Sequence, residues 1–237
     1  MANFLFVHGG MHGAWCWVKV IDILEAGGHH CLDMDLPGAG LDRTPRKDVT
    51  FDTYLEKIDH FIEVNDLKDI NLVGHSIAGM LLPQIALDER AGVNNIIFLA
   101  AYVTEYEQSL MDLVPAERRE FFILETENSP EKSFFVEFEN ARNLYFSDLD
   151  EESAKNYYSL LTPQPLEPCQ HKSDVELSSI EQNVHYIICK KDRVLPNDLS
   201  LEFIKKLNCD VHEIDSGHDV MLSHPKELAK LLDEIAS

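Results

Sequence analysis

The chain has 237 residues, 45% of them hydrophobic and 26% charged, enough to bury a sizeable core in one α/β domain or in a smaller domain carrying an insertion. A net charge of −22, from 20 basic against 42 acidic residues, repels a nucleic-acid backbone or an anionic membrane surface, so neither is expected as a partner. The five cysteines are odd in number and mostly set in apolar segments, which argues against a disulfide framework or a zinc site.

The first apolar run, Asn3 to His8, predicts a strand that ends in glycines. Helical spacing follows from Ala14 to Ala26 and is stopped by Gly27 and Gly28. His30 to Leu36 predicts a second strand closed by Pro37 and Gly38. From Phe51 the positions Tyr54, Leu55, Ile58, Phe61 and Ile62 form one apolar stripe, with Thr50 as N-cap. Asp69 to Val73 is a buried-strand candidate leading into Gly74-His75-Ser76, and Ile77 to Leu87 is helical in composition. Asn95 to Ala101 is the next strand.

Strands alternating with helices at this spacing imply right-handed crossovers and a parallel sheet covered on both faces. The alternation is then interrupted. From Glu105 to Glu152 fourteen acidic residues stand against four basic ones, and the segment leaves through Pro163, Pro165 and Pro168. We therefore expect a core of residues 1–104 and 174–237 with a helical insertion at 105–173, placed to roof a pocket at the carboxyl ends of the strands. Alternation resumes with Val184 to Cys189 as strand, Asp198 to Leu207 as helix, Val211 to Ile214 as strand and Pro225 to Ile235 as a last helix. With no basic leader and no 18-residue apolar run, a cytoplasmic location is expected.

Gly74-His75-Ser76-Ile77-Ala78-Gly79 falls at a predicted strand-to-helix junction, the setting of a nucleophile elbow. Small residues two before and two after the serine let strand and helix approach, although Ala78 stands where a glycine is usual. A serine hydroxyl needs an adjacent base, and the base needs a partner that fixes its tautomer. His218, in the loop after the last predicted strand, is the candidate base, ahead of His212 and His224. Asp192, directly after Val184 to Cys189, is the candidate acid, with Asp198 and Glu105 as competitors.

The glycine-rich His8-Gly9-Gly10-Met11-His12-Gly13 follows the first strand as an oxyanion-hole loop would, and the amides of Gly10 and Ile77 are the candidate donors. It lacks the spacing of a phosphate-binding loop. Trp15 and Trp17 are read as core. Aromatics of the insertion, among them Phe134, Phe135, Phe138, Tyr145, Phe146, Tyr157 and Tyr158, either line an apolar pocket or pack the insertion on the core.

Together VHGGMHGAWCW at 7–17, GHSIAG at 74–79, FLAAYV at 98–103, CKKDRVLP at 189–196 and GHDVML at 217–222 resemble the plant methylesterase and hydroxynitrile lyase family and its bacterial esterase relatives. The resemblance spans the core and is weaker in the insertion, where LLTPQPLEP at 160–168 looks like the return to the core. It implies an α/β-hydrolase fold with a helical cap, a Ser76, Asp192 and His218 triad, and neither cofactor nor metal. Lyases of that family carry a lysine where Asp219 stands, and Asp219 is expected to repel a departing cyanide. The expected activity is hydrolysis of small methyl or alkyl esters of hydrophobic or aromatic acids. Lyase chemistry, thioester or lactone hydrolysis, a noncatalytic receptor and a homodimeric state are left open.

Overall fold

A computed structural model describes residues 1–237. Short apolar runs become the strands of one sheet, the central four of them largely buried on both faces as a parallel sheet requires. They are β1 (Asn3–Val7), β2 (His30–Met34), β3 (Ile70–His75), β4 (Val93–Leu99), β7 (Asn183–Cys189) and β8 (Asp210–Ile214). All pair in parallel, in the order β2-β1-β3-β4-β7-β8. Every residue of β3 is buried, whereas the edge strand β8 is largely exposed and only five residues long.

Helices α1 (Val18–Ala26), α2 (Phe51–Val64), α3 (Leu82–Leu87), α9 (Asn197–Lys206), α10 (Val220–Ser223) and α11 (Pro225–Ile235) accompany the sheet. Only the step from β1 to β2 runs in one direction across the sheet; every later crossover runs in the other. Right-handed crossovers therefore put α1 on one face and α2, α3 and α9 on the opposite one, and α11 packs beside α1. The direction reverses between β1 and β3, whose ends Val7 and Gly74 are register partners. Ligands bind at such a switch point, outside the carboxyl ends of the strands.

Two expected helices are divided. Ala14 to Ala26 opens with a tight turn of 3-10 helix at Ala14–Trp17 before α1, and Ile77 to Leu87 consists of a 3-10 segment, Ser76–Met80, followed by α3. The second break has a clear cause. Gly79 presses against the sheet so closely that a Cβ there would lie 2.2 Å from the Tyr102 carbonyl oxygen, and the Tyr102 amide donates to the Ser76 carbonyl at 3.0 Å. Pro83 then stands in the first turn of α3, where its missing N–H costs nothing.

Between β4 and β7 lie α4 (Leu110–Leu113), α5 (Ala116–Asn128), α6 (Phe138–Leu144), α7 (Glu151–Tyr158) and α8 (Glu167–Gln170). A two-residue antiparallel pair, β5 (Ser133–Phe134) with β6 (Gln164–Pro165), was not expected from sequence; it brings the proline-rich exit back beside the middle of the segment. Phe122, Phe134 and Tyr145 belong to the same hydrophobic cluster as the sheet, so the segment is docked on the core. No helix is long and apolar enough to cross a membrane.

Thr50 caps α2 through a reciprocal pair with Thr53, and such caps contribute about 1 kcal/mol. Thr50→Ala should lower unfolding free energy by about that amount in urea titrations. Gly79→Ala should cost more, about 1–3 kcal/mol, because the added methyl meets backbone that cannot step aside.

Candidate active site

Non-glycine residues rarely adopt positive φ, yet three that do follow the carboxyl ends of neighbouring strands: Met11 after β1, Ser76 after β3 and Ala100 after β4, at 64°, 54° and 43°. Such positions cost of order 1–3 kcal/mol each and persist where surrounding structure imposes them. At Ser76 the cause is the abrupt change from strand to helix, held by the Tyr102 amide. Gly9 of the β1 loop lies so near that a Cβ would meet Ser76 Cβ at 3.0 Å and His75 Nδ1 at 2.8 Å. The loop can touch the elbow only as glycine.

Ser76 and His218 line one narrow cavity, with Gly10 and Ile77 also in its lining. His218 Nδ1 donates to Asp192 Oδ2 at 2.7 Å, and both side chains are almost wholly buried. The other Asp192 oxygen accepts from the amides of Val194 and Leu195 at 2.7 and 2.9 Å, so the carboxylate is fixed by backbone. That bond assigns the His218 tautomer and leaves Nε2 as the free acceptor. The competing residues lie elsewhere: His212 contacts His185, His224 lies beside Asp148, and Glu105 pairs with Lys206.

The Gly10 amide has no partner within the chain, and Ile77 stands in the first turn of its helix, where N–H groups are unpaired. A Cβ on Gly10 would come within 3.2 Å of Ile77 Cδ1, so the two amide-bearing loops are in contact. Gln164, from the inserted segment, fastens the arrangement from above. Its Oε1 accepts from the Met11 amide at 3.2 Å, while its Nε2 donates to Tyr54 Oη at 3.1 Å and to the Pro165 carbonyl at 3.0 Å.

Two histidines of the β1 loop have opposite charge requirements. His8 donates through Nδ1 to the Gly9 carbonyl at 2.8 Å and accepts the Leu36 amide at Nε2 at 3.0 Å, so it must be neutral. Burial lowers its pKa to about 4. His12 instead faces acceptors on both sides, the Gly10 carbonyl at Nδ1 and the Asp219 carboxylate at Nε2, 2.8 and 2.9 Å away. Burial works against its protonated form, but Asp219 and the Gly10 carbonyl outweigh burial and raise its pKa. Asp219 is thus tied to His12 and does not line the cavity, which corrects its reading as a charge facing the reacting atoms.

His75 donates to the His218 carbonyl at 3.2 Å, and burial, together with neighbouring His218 and His12, holds its pKa well below the usual value. His75, His218 and Asp219 offer donor atoms within 4.8 Å of one another. His75 Nε2 serves the His218 carbonyl and Asp219 Oδ2 serves His12, whereas His75 Nδ1 and Asp219 Oδ1 are buried without a partner.

Of the insertion's aromatics, Phe134 and Tyr145 line the cavity, joined by Phe122. Phe135 and Phe138 pack on Tyr158, and Phe146 packs on Tyr157. Trp17 packs on Phe6 as a core residue, whereas Trp15 is only partly buried and stacks on Tyr157. Tyr102, Arg118 and Gln164 also line the cavity without having been singled out in the sequence.

Comparison with known proteins agrees with this architecture. A model of the family described as "Alpha/beta hydrolase family" matches residues 4–231. Methylesterase 3 of Arabidopsis thaliana is 30% identical over 99% of this chain and 96% of its own length. Polyneuridine aldehyde esterase of Rauvolfia serpentina is 26% identical over 99% and 95%. Among solved structures, an extracellular alpha/beta-hydrolase from a Paenibacillus species superposes with a TM-score of 0.87 at 22% identity, covering 100% of this chain and 99% of that one.

The charge states generate a pH prediction. A histidine with a lowered folded pKa leaves the unfolded chain binding more protons, so its contribution is intact above about 6.5 and is lost as pH falls toward the folded value. For His8 that window runs from about 6.5 to about 4. The stability advantage of the wild type over His8→Asn should therefore shrink by about 1–2 kcal/mol between pH 7 and pH 5, as read from urea unfolding. His12 has the opposite sign: its contribution is present below its unfolded pKa and lost as pH rises through the higher folded one.

Proposed function

The chain belongs to the alpha/beta hydrolase family and is a carboxylic ester hydrolase, and from that premise we propose that it works as a serine esterase with Ser76 as nucleophile. The observation that carries the proposal is the buried His218, held to Asp192 at 2.7 Å and lining one cavity with a serine in the strained conformation of an elbow. Ser76 Oγ attacks the ester carbonyl while His218 Nε2 accepts its proton. The amides of Gly10 and Ile77 stabilise the tetrahedral oxyanion, a donor of this kind contributing about 2.7–4 kcal/mol to the transition state. His218 returns the proton to the leaving alcohol and then activates water to release the acid. Asp192 holds the imidazole in one tautomer throughout.

The substrate class we propose is a small methyl or alkyl ester whose acid part is apolar or aromatic. The names of Methylesterase 3 and polyneuridine aldehyde esterase support it, as do the apolar Met11, Leu110, Val114, Phe122 and Phe134 around the cavity. Lyase chemistry is the weaker reading. Where a lysine would assist a departing cyanide, Asp219 is engaged by His12.

A panel of methyl esters, mandelonitrile and a fluorophosphonate probe tests the proposal. Acid release from esters and labelling of the wild type are expected. Ser76→Ala should abolish both, and Asp192→Asn should lower kcat about ten-thousand-fold by favouring the wrong tautomer. Cyanide release without ester hydrolysis, or an unlabelled Ser76, would overturn it.

A further inference from the structure

Arg118 is the one arginine or lysine lining the cavity, and ester hydrolysis does not use it. It lies in the first turn of α5, where a cation runs against the helix dipole, so local helix energetics do not favour it there. It lines both the cavity shared by Ser76 and His218 and an adjoining cleft between α5 and α6. Arg118 therefore stands at the junction between the reacting centre and the outside.

A guanidinium offers five N–H donors and keeps its charge at any working pH. Here Nη1 donates to the Val194 carbonyl at 3.0 Å and the side chain also bonds to Tyr102, which leaves the remaining donors open. No carboxylate pairs with it; among the arginines of the chain only Arg90 is in an ion pair. What sets Arg118 apart from the other half-buried, unpaired arginines is that it lines the cavity of Ser76 and His218. The charge is felt inside the cavity. Burial pushes the Tyr102 phenol up to about 12 and raises that of Tyr145, and in both the Arg118 charge is the leading influence in the opposite direction.

We propose that Arg118 forms an anion subsite, and that the preferred substrates are esters carrying a second, ionised acidic group remote from the scissile carbonyl, such as half-esters of dicarboxylic acids. This rests on the esterase reading and adds an ionised end to the apolar acid part proposed above. The carboxylate of the substrate takes the donors that the protein leaves open, in the paired geometry that suits arginine better than lysine. The apolar wall of Met11, Val114 and Phe134 receives the carbon skeleton between the two groups. Because the net charge of −22 repels anions at a distance, the preference arises at contact and not during approach.

Monomethyl esters of linear dicarboxylic acids of four to eight carbons, each compared with the methyl ester of the monocarboxylic acid of equal length, test the subsite. At one chain length or more the half-ester should have a kcat/KM at least tenfold above its neutral counterpart, mainly through KM. Arg118→Met should reduce that ratio at least tenfold, and Arg118→Lys should restore part of it. A ratio below one at every length in the wild type, or a ratio unmoved by Arg118→Met, would overturn the proposal. Binding is read separately from turnover. Hexanoate should raise Tm in the wild type and in Ser76→Ala but not in Arg118→Met, whereas hexanol should not distinguish them. Hexanoate binding that depends on Arg118, without hydrolysis of either ester series, would leave the subsite standing and remove the esterase reading; hydrolysis with no dependence on Arg118 in either assay would do the reverse.

Discussion

One carboxylate organises the candidate site. Asp192 spends one oxygen on two backbone amides at the start of the turn after β7 and the other on the His218 ring. The first pair of bonds fixes the second in space, because the carboxylate cannot rotate without leaving two buried amides unpaired, at about 1–3 kcal/mol each. A histidine held this way has its remaining nitrogen available as a base, and the rest of the structure arranges what that base meets. The sheet reversal between β1 and β3 brings the glycine loop and the elbow together, and close contacts at Gly9 and Gly79 set their spacing.

The charge pattern around this centre is economical. His8 and His12 are four residues apart on one loop, yet hydrogen bonding makes the first an acceptor of an amide and the second a donor to a carboxylate. His12 joins the Gly10 carbonyl to Asp219, the residue after His218, and so links the loop that presents Gly10 with the loop that presents the candidate base. Gln164 grips the same Gly10–Met11 peptide from its other side, through the Met11 amide. The inserted segment thus supports the floor of the cavity as well as its roof.

Much of this was legible in the sequence because it is local. The elbow appears as six consecutive residues, Thr50 announces α2 directly, and Pro225 marks the start of α11 to the residue. What escaped depends on contacts distant along the chain. Asp219 read as a charge facing the reaction because its partner His12 lies 207 residues away, and only folding shows that the two neutralise each other in the interior. Arg118 sits in an acidic, weakly amphipathic stretch where an arginine carries no signal, and Gln164 in a proline-rich exit that gives no hint of a hydrogen-bonding role. The 3-10 segment after Ser76 follows from the press of Gly79 on Tyr102, a fact of packing rather than of helix propensity.

Covalent chemistry at one hydroxyl is the centre of the proposed function. Rapid-quench mass spectrometry of the enzyme turning over a slow methyl ester, with peptide mapping of the adduct, reads it directly. A transient gain equal to the acyl group, located on Ser76 and decaying at the rate of acid release, is the predicted result. Steady turnover with Ser76 unmodified at every quench time, or an acyl group carried by another residue, would contradict it.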